Sequence, residues 1–233
     1  GRLRGAATSG GHSIAWNLAY RGESEPLFLL PLKFYTGKFP KAKSLVGLPL
    51  AVFNGTISVD GHAIEIADWV GSQNHNWGTQ HTDRYAWGQV AGFDNAPDSF
   101  LEAATAWLKL GPLWTPPLTP LVLRHRGEEI ALNALTQSLR ARASLEYFTW
   151  RFVSETDRVR VEGIITAPRE AFVGLKYDNP PGGSKQCLNS KIASCELTLT
   201  RKAIGERETL STSHHAAFEI LTDDRKHGVE MRA

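Results

Sequence analysis

DWVGSQNHNWGTQHTDRYAWGQVAG, residues 68–92, is the stretch that decides how the rest of the chain reads. It holds Trp69, Trp77 and Trp87, His75 and His81, Asn74 and Asn76, Asp83, Tyr85 and Gln89, a mixture that neither a plain core strand nor a plain loop needs. Its ends are strand-like and its middle is polar. If successive side chains alternate along an extended backbone, Tyr85, Trp87 and Gln89 share one face and Ala86, Gly88 and Val90 the other. One face is therefore large and hydrogen-bonding while the other is small, as in a strand that lines a cavity or closes a corner.

The flanks read as strands too. Upstream, LAVFNGTISV and AIEIA form a hairpin between Leu48 and Ala67, joined by Asp60-Gly61, a dipeptide suited to positive φ in a tight turn. Asn54-Gly55 interrupts a run of β-branched residues and reads as a bulge within one long strand. Further upstream, Ile14, Trp16, Leu18 and Tyr20 alternate with small or polar residues over His12 to Arg21, a half-buried strand. Downstream, Asp94 to Asp98 is a turn. Ser99 to Leu110 has respectable helix propensity, yet every neighbour is a strand, so a strand is expected there as well.

Gly111 to Pro120 carries four of the twelve prolines, which excludes regular structure and marks the expected domain boundary. Beyond it, Leu121 to His125 and Glu128 to Asn133 flank Arg126-Gly127 as a second hairpin. Tyr147 to Ser154, Arg158 to Ile164, Ala171 to Tyr177, Ser194 to Lys202 and His214 to Leu221 continue as strands. The thirteen residues DNPPGGSKQCLNS between two of them read as a polar loop. About a dozen short strands with little helix and no internal repeat describe an all-β barrel or sandwich.

Composition sets the class. Apolar content of 42% and charged content of 21% are those of a globular chain, and 233 residues suffice for one large all-β domain or two small ones. The 26 Lys and Arg are scattered among 24 Asp and Glu, so no basic stripe exists for nucleic acid. No apolar run is long enough for a membrane-spanning helix, and the first residues, GRLRGAATSGG, lack the apolar centre of a secretion signal. Cys187 and Cys195 suit either a bridge across a small turn or two buried thiols. Oligomeric state and compartment are left open.

Asn76-Trp77-Gly78 followed by Tyr85-Ala86-Trp87 and Gln89 resembles the signature of the lipocalin-like cyclase and hydratase group, which includes tocopherol cyclase, carotenoid 1,2-hydratase and the lipocalin-like Diels-Alderases. The resemblance implies two lipocalin-like antiparallel β-barrels packed together, residues 1–113 and 114–233, with the connector near Gly111 between them. It also implies a mostly apolar pocket for an isoprenoid or polyene, worked on without cofactor by a cyclase, isomerase or hydratase. A non-catalytic carrier of a hydrophobic small molecule is the competing reading, since relatives on one scaffold differ in chemistry.

Protonating an alkene needs a carboxylic acid or imidazolium in an apolar chamber, with aromatic faces to steady a cationic centre. Glu102, Asp83 and His75 are the candidate proton donors, because burial would keep a carboxyl protonated near neutrality. Trp69, Asn76, Trp77, Tyr85, Trp87 and Gln89 are the candidate substrate-binding residues, although Trp and Tyr in a barrel also serve as ordinary core. His75, His81 and Asp83 include the donor types of a two-His, one-carboxylate metal set. The chain lacks the spacing that would hold them on one rigid element, so no metal is expected.

Overall fold

The computed structural model describes residues 1–232, and its architecture is all-β and antiparallel. In chain order the strands are β1 (Arg2–Ser9), β2 (His12–Arg21), β3 (Ala42–Val59), β4 (His62–Gly78), β5 (Arg84–Phe93), β6 (Ala96–Trp107), β7 (Lys109–Leu110), β8 (Leu113–Trp114), β9 (Leu121–His125), β10 (Glu128–Leu132), β11 (Arg142–Glu146), β12 (Thr149–Glu155), β13 (Val159–Thr166), β14 (Val173–Asp178), β15 (Ser184–Arg201) and β16 (Glu206–Thr222). Helix among the described residues is confined to α1 (Lys33–Thr36), α2 (Leu135–Arg140) and a 3-10 turn at Arg169–Ala171.

Two compact units emerge, Gly1–Leu27 with Val46–His75, and Phe28–Leu45 with the chain from Asn76 onward. The Pro-rich connector lies inside the second unit, where β7 and β8 form a two-residue ladder and Leu118 bridges to Ala106. A four-stranded sheet runs β1-β2-β3-β4. Its central turn is the expected one, with Asp60 at φ 49° and Gly61 at φ 83°. β3 does continue through Asn54-Gly55, but its register with β2 is unbroken there, so on that side the expected bulge is absent.

The second sheet follows the order β10-β9-β6-β5-β16-β15-β13-β12-β11, with β14 added on β15. The Arg126-Gly127 hairpin joins β9 to β10 as expected. Ser99 to Ala103 are buried without interruption, which explains why helix propensity loses here. A segment covered on both faces must expose alternate residues to two different layers, and a strand does so.

The expected loop over residues 178–190 is a correction. Only its first residues turn, through the Asn179 and Gly183 backbone bond, and β15 begins at Ser184. Polar residues in that stretch are strand residues with polar partners across the sheet, so composition alone misreads them as solvated loop.

One face of the second sheet closes over the core. Trp150 and Phe152 meet at a tilt with ring centroids 4.6 Å apart, Phe172 meets Phe218 edge-on at 5.5 Å, and Leu101, Ala103, Leu188, Leu197 and Ile220 fill around them. Ala86 and Val90 belong to this cluster, and Gly88 between them leaves the space that Ile165 and the Trp150 ring occupy. The small face of the diagnostic stretch is thus the core face.

Cys187 and Cys195 are free and buried. Eight residues apart on one extended strand they stand roughly 26 Å from each other, too far to bridge. Burial pushes each thiol up to about 12. Folded protein at pH 8 should therefore resist a water-soluble thiol reagent, while denatured protein should titrate two thiols; one or none under denaturing, non-reducing conditions would contradict this arrangement.

Candidate active site on the outer face of β5

Turning Ala86, Gly88 and Val90 inward turns Tyr85, Trp87 and Gln89 to the opposite face. Register places Gln89 opposite Glu102 on β6 and Trp87 opposite Glu219 on β16. Asn189 on β15 lies opposite Glu219, so four adjacent strands present polar and aromatic side chains on one surface.

Glu102 is the anomaly of this surface. It is 2% exposed, its Oε1 accepts the Trp87 indole N–H at 3.2 Å, and its Oε2 has no hydrogen-bond partner. Burial pushes its carboxyl up to about 7, and the single indole donor pulls back only weakly. An orphaned buried carboxyl oxygen is costly, and folds retain such groups mostly where they are used.

Next to it, the Tyr35 ring lies 5.0 Å from Phe28 and 5.9 Å from Trp77. Its hydroxyl donates to the Ser44 carbonyl at 2.8 Å and accepts from the Leu30 N–H. Burial raises the phenol, backbone donors oppose that, and the Glu102 charge adds to the rise. Gly78 ends β4 with no room for a side chain, because the Lys41 carbonyl lies where a Cβ would stand and receives the Thr79 N–H at 3.0 Å. The glycine of the Asn-Trp-Gly motif is thus a close-approach residue that anchors Trp77 beside Tyr35.

On the other flank of Trp87, Glu219 gathers three oxygen and nitrogen donors and one thiol. Tyr85 reaches Oε2 at 3.2 Å, while Asn189 and Lys191 reach Oε1, the ammonium at 3.3 Å. Lys191 Nζ also sits 5.5 Å from the Trp87 ring centroid. The Cys187 Sγ lies 3.9 Å from Glu219 Oε2. Burial, reinforced by the Glu219 charge, drives the Tyr85 hydroxyl well above its ordinary value, so it remains a donor at any physiological pH.

The expected site residues therefore divide. Glu102, Tyr85, Trp87 and Gln89 converge on neighbouring strands, and Trp77 joins them through Tyr35. Asn76 is exposed near the end of β4. Asp83 serves the start of β7, its Oδ2 accepting the Lys109 N–H at 2.8 Å. Exposed His75 and Trp69, 54% exposed, belong to the first unit. The His81 ring lies tilted against Tyr177 at 5.3 Å, and among the described residues no three His, Cys, Asp or Glu side chains gather in a way that could hold a metal ion. An open hollow lined by Asn54, Thr56, Glu65 and Ile66 lies in the first unit, and neither Trp87 nor Glu102 lines it.

Sequence reasoning missed Tyr35, Glu219, Asn189 and Lys191. Glu219 had a signal: a lone carboxylate between Phe218 and Ile220 in an otherwise apolar strand. Reading residues 178–190 as loop concealed Asn189.

An antiparallel β-sheet that keeps an unpaired carboxyl buried among aromatic rings narrows the class of protein, and the chain belongs to the tocopherol cyclase-like family, whose model matches residues 44–221. Two uncharacterized proteins from strains of Mycobacterium tuberculosis are each 27% identical to it over 188 residues, covering 80% of this chain and 56% of the relative. The chain thus spans a little over half the length of these relatives. Its fold is similar to that of kievitone hydratase from Nectria haematococca, with TM-score 0.54, 11% identity, and coverage of 95% of this chain and 65% of that one. It is similar as well to a structure described as AttH from Nitrosomonas europaea, with TM-score 0.51, 14% identity, and coverage of 95% and 64%.

Proposed function

We propose that the protein is a lipocalin-like double barrel that acts, without cofactor, as a cyclase, isomerase or hydratase on an apolar isoprenoid or polyene. The four-stranded and the larger sheet are then walls of the two barrels. The observation that carries this reading is Glu102: a buried carboxyl, protonated near neutrality, with one oxygen unclaimed and indole and phenol rings beside it. In this role Glu102 delivers its proton to an alkene carbon, and the faces of Trp87 and Trp77 steady the cation that forms. The Trp87 N–H holds Glu102 Oε1 in place and stabilises the carboxylate left behind.

Protonation from a carboxyl that exchanges with solvent leaves an isotopic record. Farnesol incubated with the protein in D2O should acquire deuterium at a former alkene carbon, detected by mass spectrometry and carbon NMR. Tight binding of farnesol with no deuterium uptake would instead make the protein a carrier.

A further inference from the structure

The reading of Glu102 as acid leaves Glu219 unused, although three donors converge on it beside the same tryptophan. We propose that Glu219, held by Tyr85, Asn189 and Lys191, is the site's general base and positions a water molecule, so that the reaction at this surface is addition of water to an alkene. This rests on the Glu102 reading and adds a second, opposite proton-handling group.

Geometry separates the two carboxyl groups by function. Glu102 and Glu219 lie on β6 and β16, the strands on either side of β5, and project to the same face with Trp87 between them. Two strand spacings and a two-residue offset along the strands place their backbones about 12 Å apart. Their surroundings are opposite in kind. Glu102 is buried with an orphaned oxygen and among the described residues no cation pairs with it, which favours the neutral acid. Glu219 has an ammonium, an amide N–H and a phenol O–H on its two oxygens and is partly open to solvent, so its lone pairs already face donors. Lys191 over the ring and against Glu219 keeps that flank of Trp87 wet and charged. Two carboxyl groups in such different surroundings, one with an orphaned oxygen and one ringed by donors, divide into an acid and a base.

The step balances. The Glu102 O–H bond breaks and a C–H bond forms at one alkene carbon. Water oxygen forms a C–O bond at the other, and its proton passes to the Glu219 carboxylate. Solvent then returns a proton to Glu102 and removes one from Glu219, so the net change is alkene plus water to alcohol. A cyclisation would need the acid alone.

Farnesol in a mixture of D2O and oxygen-18 water tests this against the parent reading. The expected product carries both deuterium and oxygen-18. Glu219→Gln should lower oxygen-18 uptake at least 100-fold, while Tyr85→Phe, which keeps the ring and drops one donor, should lower it by a smaller factor. Thermal melts of both variants within a few degrees of wild type confirm intact folds. Deuterium without oxygen-18 would overturn the Glu219 assignment and spare Glu102, as would Glu219→Gln with undiminished oxygen-18. Neither label would overturn both.

Discussion

Glu102→Gln should cut deuterium uptake by about 10²- to 10⁴-fold, the range in which a positioned proton donor contributes. Wild-type uptake should fall as pH rises through about 7, because only the protonated form donates. Stability offers a check that needs no substrate. The folded carboxyl holds its proton to higher pH than an unfolded one, whose ordinary value is 4.5, so the folded state binds more protons between the two values. Stability contributed by this group is therefore full below about pH 4.5, is lost as pH rises through about 7, and amounts to roughly 3 kcal/mol. The variant should lack that component of the slope, gaining on wild type between pH 5 and pH 8 in urea midpoints. A difference between the two proteins that stays constant across that range would mean that Glu102 is ionised throughout, and the acid role would fail.

Trp150→Ala should be the most destabilising single change in the second unit, at about 3 to 5 kcal/mol. Its ring is fully buried, packs at a tilt against Phe152, and donates its indole N–H to Thr105 at 3.0 Å. Thr105 in turn shares a hydrogen bond with buried Thr119, so truncation disturbs a polar pair as well as the packing. Against the 5 to 15 kcal/mol that holds a typical domain, a loss of this size should lower the melting temperature by about 10 °C. Trp114, 49% exposed on the two-residue ladder, is the control, and its Ala variant should stay within about 0.5 kcal/mol of wild type.

Much of this architecture was legible because its signals are local. Asp60-Gly61 and Arg126-Gly127 announce their hairpins by backbone chemistry that few other pairs supply. The alternation Tyr85, Trp87, Gln89 against Ala86, Gly88, Val90 sorts the two faces of β5 without knowledge of what covers either. Glu102 could be named as a donor because a carboxyl that becomes buried keeps its proton near neutrality. What the sequence concealed depends on long-range pairing. Glu219, Asn189 and Tyr85 meet only because β15, β16 and β5 lie side by side across more than a hundred residues of chain. Asp83 and His75 carried the right chemistry, but neither is buried: Asp83 is bound to the backbone of β7 and His75 is exposed.

β5 is a partition one residue thick. Behind Gly88 press Ile165 and Trp150; in front, one residue earlier, stands the indole that holds Glu102. Trimming Ile165 to Val would leave Trp87 and Glu102 chemically untouched, yet it would slacken the backing against which that indole is seated. The position of Trp87 and of the carboxyl it holds can thus drift through changes in the interior that touch neither of them.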